Sequence, residues 1–225
     1  MTACHPSPEP TPPLFGGSTR DVLSTRRIGA AFAASLNGPW VRIPYAIFNA
    51  STSPSDFDSS TVSNAAPAFQ PSGNGSLLLA YKGLAEHDPH NPHKQCTDGS
   101  GVPCVGIVAA DHWRGPYRRS GTRLAGPGED PTLFHRGGGW HMIFEHYDGS
   151  HCGAHAYSAD GVRWNVTPPA TWYTLDVVLD GVSQKLVKRE RPQVVWDGVG
   201  NGTGLIFNGA CTAAGCFNIN VDIEV

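Results

Sequence analysis

Charge is scarce in this sequence: Asp, Glu, Lys and Arg make up 16% of its 225 residues, and the formal net charge is -3. Without a basic run there is no electrostatic basis for binding a nucleic acid or an anionic membrane. No apolar stretch approaches the roughly 20 residues of a membrane-spanning helix. The first residues, MTACHPSPEPTPPL, lack the charged and apolar regions of a secretory signal. A convincing helical period with caps is missing throughout, which removes helical folds from consideration. There is no C-x-x-C pair for a zinc site built from paired thiols, and no G-x-S-x-G elbow, P-loop or dinucleotide fingerprint. SGNGS and GVGNG are rich in glycine but fall at hairpin turns, where no helix start is available to hold a phosphate.

What is present is glycine and proline, 27 and 19 residues, in a chain that is 40% hydrophobic. That balance favours many short strands joined by tight turns around an apolar core. Six cysteines include two locally spaced pairs, Cys96 with Cys104 and Cys211 with Cys216, both candidates for disulfides. Four N-glycosylation acceptors, Asn49, Asn74, Asn165 and Asn201, point with the cysteines to an extracellular, secreted protein.

Three segments repeat one another: 64–83 (NAAPAFQPSGNGSLLLAYKG), 128–149 (GEDPTLFHRGGGWHMIFEHYDG) and 189–210 (RERPQVVWDGVGNGTGLIFNGA). Each runs from a polar start through a proline, a short apolar stretch and a glycine-rich turn to a second apolar stretch. Aligned on Pro67, Pro131 and Pro192, the residue of the first repeat that matches Asp130 is Ala66. A second set, 27–40, 104–117 and 152–164, interleaves with the first and places a glycine 11 positions before an aromatic, as in Gly29 to Trp40. Two hairpins per repeat make four antiparallel strands, the unit of a propeller blade, whose two faces are both buried. Runs such as SLLLAY and HMIF then need no strict alternation.

The expectation is an all-β fold, a β-propeller with an incomplete ring of four-stranded antiparallel blades. Residues 1–13 form a disordered or extraneous segment, and 14–225 a single propeller domain: a partial blade at 14–43, blades at about 62–120 and 128–170, and a final blade from 189. Stretches 44–62, 84–103 and 168–188 are expected as loops, the last with room for further strands in WYTLDVVLDG. The upstream strands of the first blade are expected to precede Met1.

In such a blade the start of the innermost strand and the end of the second lie at one end of the ring. That end receives Asn64, Glu129, Asp130, Glu190 and Arg191 from the innermost strands and Lys82, His146 and Asn208 from the second strands, with His155 nearby. Carboxylates, amides and cations around a funnel suit a polyhydroxylated ligand. His87, His90 and His93 sit in a loop without a frame to fix metal geometry, so they read as a polar loop and no metal site is assigned. His141 and His146 fall on opposite faces of one strand, and Trp40, Trp113, Tyr117 and Trp164 read as packing between blades.

GPW, NAAPAF, GEDPTLF, HAYSADGVRW and RERPQVVW…LIFNG together resemble the five-bladed β-propeller glycosidases of glycoside hydrolase family 43, the arabinanase and β-xylosidase type. The resemblance covers about 14–225. It implies hydrolysis of a glycosidic bond in an arabinan- or xylan-type poly- or oligosaccharide, with inversion, by funnel carboxylates acting as base, acid and pKa modulator. Carried over, Asp130 and Glu190 are two of these carboxylates, and Asn64, Lys82, Glu129, His146, His155, Arg191 and Asn208 bind substrate or hold the carboxylates. The base is expected from a first-blade aspartate upstream of this chain. No cofactor is required, although such rings sometimes hold calcium; the partner is a carbohydrate and the chain a monomer. The alternative is a sugar-binding propeller without catalysis, and a third reading is a protein-interaction propeller.

Overall fold

The computed structural model describes residues 14–17, 26–85, 103–124, 127–146, 152–166, 172–196 and 204–223. Among them there is no helix, so none is long and apolar enough to cross a membrane.

The strands group into successive antiparallel sheets. The first holds β1 (Leu14–Gly17), β2 (Arg27–Phe32) and β3 (Val41–Arg42) in that order. The second is β4 (Thr61–Phe69), β5 (Leu77–Leu84), β6 (Cys104–Ala110) and β7 (Arg118–Arg123), again in sequence order. The third, β8 (Gly128–Arg136), β9 (Gly139–His146), β10 (Gly153–Ser158) and β11 (Asn165–Val166), repeats the four-stranded meander. A hairpin of β12 (Asp176–Leu179) and β13 (Val182–Lys185) precedes the last sheet, β14 (Lys188–Trp196), β15 (Gly204–Thr212) and β16 (Gly215–Ile223). The stretch expected mainly as a loop at 168–188 therefore carries a hairpin. Its turn is Asp180-Gly181, both with positive φ, the pair a two-residue turn of matching twist demands.

The core lies between sheets, one layer per neighbour. Leu77, Leu79 and Tyr81 of β5 face the first sheet, packing with Ile28, Ala30, Phe48 and Val108. Leu78 and Ala80 face the third, meeting Leu133, Met142, Phe144 and Ala154. Every side chain from Leu77 to Tyr81 is thus inside, which is why SLLLAY shows no polar alternation; each large one contributes roughly 1.5–3 kcal/mol. On β9, Ile143 turns the other way, toward Tyr173 and Ile206 of the following elements. Sheets that bury both faces against their neighbours are the blades of a β-propeller.

A buried carboxylate ties the 44–60 segment to the second blade. Asp58, 1% exposed, accepts hydrogen bonds from Tyr81 Oη at 2.8 Å and Arg119 Nε at 3.0 Å. Cys211 and Cys216 stand opposite one another in the last hairpin and are bridged, as expected. Cys104 is also in a disulfide; Cys96, its expected partner, lies outside the described residues.

Candidate active site

The innermost strands β4, β8 and β14 each break register at the same level, between Ser63 and Ala66, Glu129 and Thr132, and Glu190 and Gln193. Each break is a β-bulge whose first residue has left-handed backbone: Asn64 at φ 51°, Asp130 at 52° and Arg191 at 53°. Asn and Asp enter this conformation readily, whereas Arg does so at a cost. The register corrects the alignment made on prolines. Asn64, not Ala66, is the counterpart of Asp130, because Pro131 and Pro192 lie within their bulges whereas Pro67 follows its own.

The bulges bring residues of three blades into one group. Asn64 Nδ2 donates to Asp130 Oδ1, and Lys82 Nζ pairs with Glu129. The Arg191 guanidinium bridges two carboxylates, with Nε 3.6 Å from Asp130 Oδ2 and Nη1 3.5 Å from Glu190 Oε1. Lys188 Nζ pairs with Glu190 on its other side. Six of the nine residues singled out in the sequence, Asn64, Lys82, Glu129, Asp130, Glu190 and Arg191, therefore meet here.

Two members have no counterpart among those nine. Lys188 is one. Glu145, directly across the ladder from Glu129 and 1% exposed, is the other. Their signal was the pairing itself: Lys82 faces Ser63 at the position where Glu145 faces Glu129, so correct register would have found Glu145 from Lys82.

Electrostatics follow from depth. Burial pushes the Glu145 carboxyl up to about 7, with Asp130 and Glu190 adding to the rise and Lys188 and Lys82 opposing it. Burial also raises Asp130, against the downward pull of Arg191 and Lys82. The Lys82 ammonium is pushed below its ordinary value by burial, and the hydrogen bond to Glu190 raises that of Lys188.

Glu129, Asp130 and Glu145 each offer an oxygen, all within 4.8 Å of one another, the donor set a cation would need. Lys82 and Arg191 already stand against two of the three.

Three expected site residues go elsewhere. Asn208 is buried at 2% exposure and spends its amide inside the last blade, accepting from Arg189 Nε at 3.0 Å and donating to the Glu190 carbonyl at 3.3 Å. It supports the bulge and does not line an opening. His155 lies opposite Ile143 on β10 and hydrogen-bonds His141 at 3.0 Å, stacked against Trp172. His155 thus pairs two residues along β9 from Glu145, but its ring is taken up between His141 and Trp172. His146 sits beside Phe144, on the face of β9 opposite to Glu145. The loop with His87, His90 and His93 lies outside the described residues.

No protein-family model matches the chain, and no curated protein matches it in sequence. Solved structures match it in fold. A thermostable family-43 glycoside hydrolase superposes with a TM-score of 0.62 at 11% identity, over 89% of this chain and 64% of its own. An endo-1,4-beta-xylanase and an endo-arabinase, both from Bacteroides thetaiotaomicron VPI-5482, give TM-scores of 0.55 and 0.52 at 12% and 16% identity. They are covered over 75% and 70% of their lengths by 95% and 94% of this one. The fold is therefore that of the β-propeller glycosidases, and this chain spans under two thirds of the first of these structures. Fold does not carry activity, which has to be argued from the side chains.

Proposed function

We propose that this chain, one propeller unit over 14–225, acts on an arabinan- or xylan-type poly- or oligosaccharide and cleaves a glycosidic bond with inversion by carboxylate acid/base chemistry. The observation that carries the reading is the convergence of Asn64, Asp130, Glu190 and Arg191 from three blades on one guanidinium-bridged group. Directed donors and acceptors in that arrangement match sugar hydroxyls. Glu190 is the carboxylate that exchanges a proton with substrate, since its side chain keeps 15% of its surface exposed while that of Asp130 keeps 3%. Asp130 acts from behind, orienting Arg191 and Asn64 and tuning the charge at Glu190. The reaction calls on no cofactor. The protein works outside the cell as a monomer; Asn49, Asn74 and Asn165 are all exposed, and the Cys211–Cys216 bridge suits an oxidising compartment.

One observation favours a second reading, a saccharide-binding propeller without turnover. Inversion needs two carboxyls facing the scissile bond across about 6.5–9.5 Å. Of the four carboxylates grouped here, Glu129, Asp130 and Glu145 are buried. Incubation with aryl arabinosides and xylosides, alongside calorimetric titration with arabinan and xylan oligosaccharides, separates the two. Hydrolysis lowered about 10²–10⁴-fold in Asp130→Asn and Glu190→Gln is the expected result. Binding without release supports the second reading, and neither binding nor release discards both.

A further inference from the structure

The last blade buries a cation that the carboxylate group does not use. Lys188 and Glu190 pair along one face of β14, so strand alternation turns Arg189 to the other, where it lies opposite Ala210 and is 5% exposed. Its Nε donates to Asn208 Oδ1 at 3.0 Å and its Nη1 to the Thr174 carbonyl at 3.2 Å, while the guanidinium carbon stands 4.6 Å from the centre of the Tyr173 ring. All these partners are neutral. Among the described residues no carboxylate lies in ion-pair reach of Arg189, and the Nη2 end of its fork makes no hydrogen bond. A buried charge without a counter-charge is costly, and neutral acceptors offset only part of that cost.

The same guanidinium lines a cleft of about 300 Å³, together with Trp172, Tyr173, Ile206, Val221 and Asp222. That volume is at the small end of ligand sites, with room for one sugar ring. Tyr173 brings a buried hydroxyl that has no hydrogen-bond partner among the described residues, a second polar group whose desolvation is uncompensated. Ile206 and Val221 face one another across the ladder as an apolar floor, and half-buried Trp172 adds an aromatic wall. Among the described residues lining the cleft Arg189 is the only cation, and Asp222 sets a negative charge beside it. One negative charge therefore suits this site better than the charge of about −1.5 to −2 that a phosphate carries.

We propose that this cleft, where the 172–174 stretch meets the last blade, is a second saccharide site that takes the carboxylate of a hexuronate, free or as one unit of a chain. The carboxylate supplies the counter-charge that Arg189 lacks and meets the guanidinium edge at two points, the geometry a planar fork favours. The Tyr173 hydroxyl gains a partner, the sugar ring lies against Trp172, and Asp222 accepts from ring hydroxyls. The site is separate from the acid/base group and stands whether or not a glycosidic bond is cleaved there.

Isothermal titration calorimetry of the full chain with D-glucuronate tests this, beside the methyl ester of D-glucuronate, acetate and inorganic phosphate. Glucuronate is expected to bind and to raise the melting temperature. The ester keeps the ring and loses the charge, acetate keeps the charge and loses the ring, and each of these and phosphate should bind at least about tenfold more weakly. Arg189→Lys retains the charge but not the fork and should weaken glucuronate about tenfold, and Arg189→Gln should abolish binding. The proposal is overturned by a wild type that does not bind millimolar glucuronate, by ester, acetate or phosphate bound as well as glucuronate, or by undiminished binding in R189K and R189Q. Should neither variant fold, because Arg189 also holds Asn208 and the Thr174 carbonyl, Trp172→Ala decides. An affinity for glucuronate about tenfold lower is then expected, and an unchanged one overturns the proposal.

Discussion

Asn64 shows how a single residue carries both backbone and charge. Its left-handed φ of 51° brings any Cβ close to the following carbonyl oxygen, a cost that Asn bears better than most residues, and its amide donates to a carboxylate that is 5% exposed. The two contributions separate by substitution. Asn64→Gly keeps the backbone free and loses only the charge-assisted hydrogen bond, about 2 kcal/mol. Asn64→Ala loses the bond and adds the left-handed penalty, about 1–2 kcal/mol more. Urea denaturation should rank them wild type, glycine, alanine; equal losses in the two variants would mean that the bulge conformation costs nothing. At Arg191 the same backbone is occupied by a residue with no aptitude for it, which marks the guanidinium as the feature retained at that position.

Between elements, close approach is set by what a strand omits. A Cβ on Gly106 of β6 would stand 2.5 Å from Phe57 Cζ and 2.6 Å from Tyr81 Cζ, so the bare backbone makes room for the stacked Phe57–Tyr81 pair. Gly106→Ala should cost about 1–3 kcal/mol by overpacking, read as a lower urea midpoint with unchanged slope. Alanine tolerated without loss would show that Phe57 and the 44–60 segment yield freely. This is also the scale at which sequence reading succeeds and fails. The proline-led repeats and glycine turns disclose β4–β5, β8–β9 and β14–β15, because a hairpin buried on both faces leaves an uninterrupted apolar signature on either side of its turn. A bulge leaves none. It adds one residue to a strand and moves every later position, so proline matching set Ala66 against Asp130 and passed over Glu145, whose significance comes from lying opposite Glu129. For His155, strand alternation gives the face of β10, but which neighbour covers that face depends on Trp172, in a stretch with no repeat to compare.

Across the whole molecule the third and fourth blades are joined at two levels with opposite responses to acid. Near the start of β14 lies the carboxylate group. Further along the strands runs a file of rings in which Trp172 stacks on His155, His155 on His141, His141 on Phe134, and Phe134 meets Trp196 edge-on. Arg136 caps Trp196 at 4.1 Å, and His135 and Arg136 add positive charge near His141. Burial pushes His155 down to about 4, with His141 adding to the drop, and burial lowers His141 as well. The folded state thus binds fewer protons than the unfolded chain between about 4 and 6.5, and stability from this level rises with pH through that window. Stability from Glu145 falls with pH between about 4.5 and 7. The slopes oppose each other, so the wild-type melting temperature should be flatter across pH 4.5–6.5 than either level alone would make it. His155→Phe keeps a ring against Trp172 and removes the His155 titration while His141 keeps its own, so the Glu145 slope is less opposed: its melting temperature should decline relative to the wild type as pH rises from 4.5 to 7. E145Q should do the reverse and climb. A decline in neither variant, or a climb in both, would mean that the two levels do not titrate as their surroundings dictate and that the joint between these blades draws its pH response from other groups.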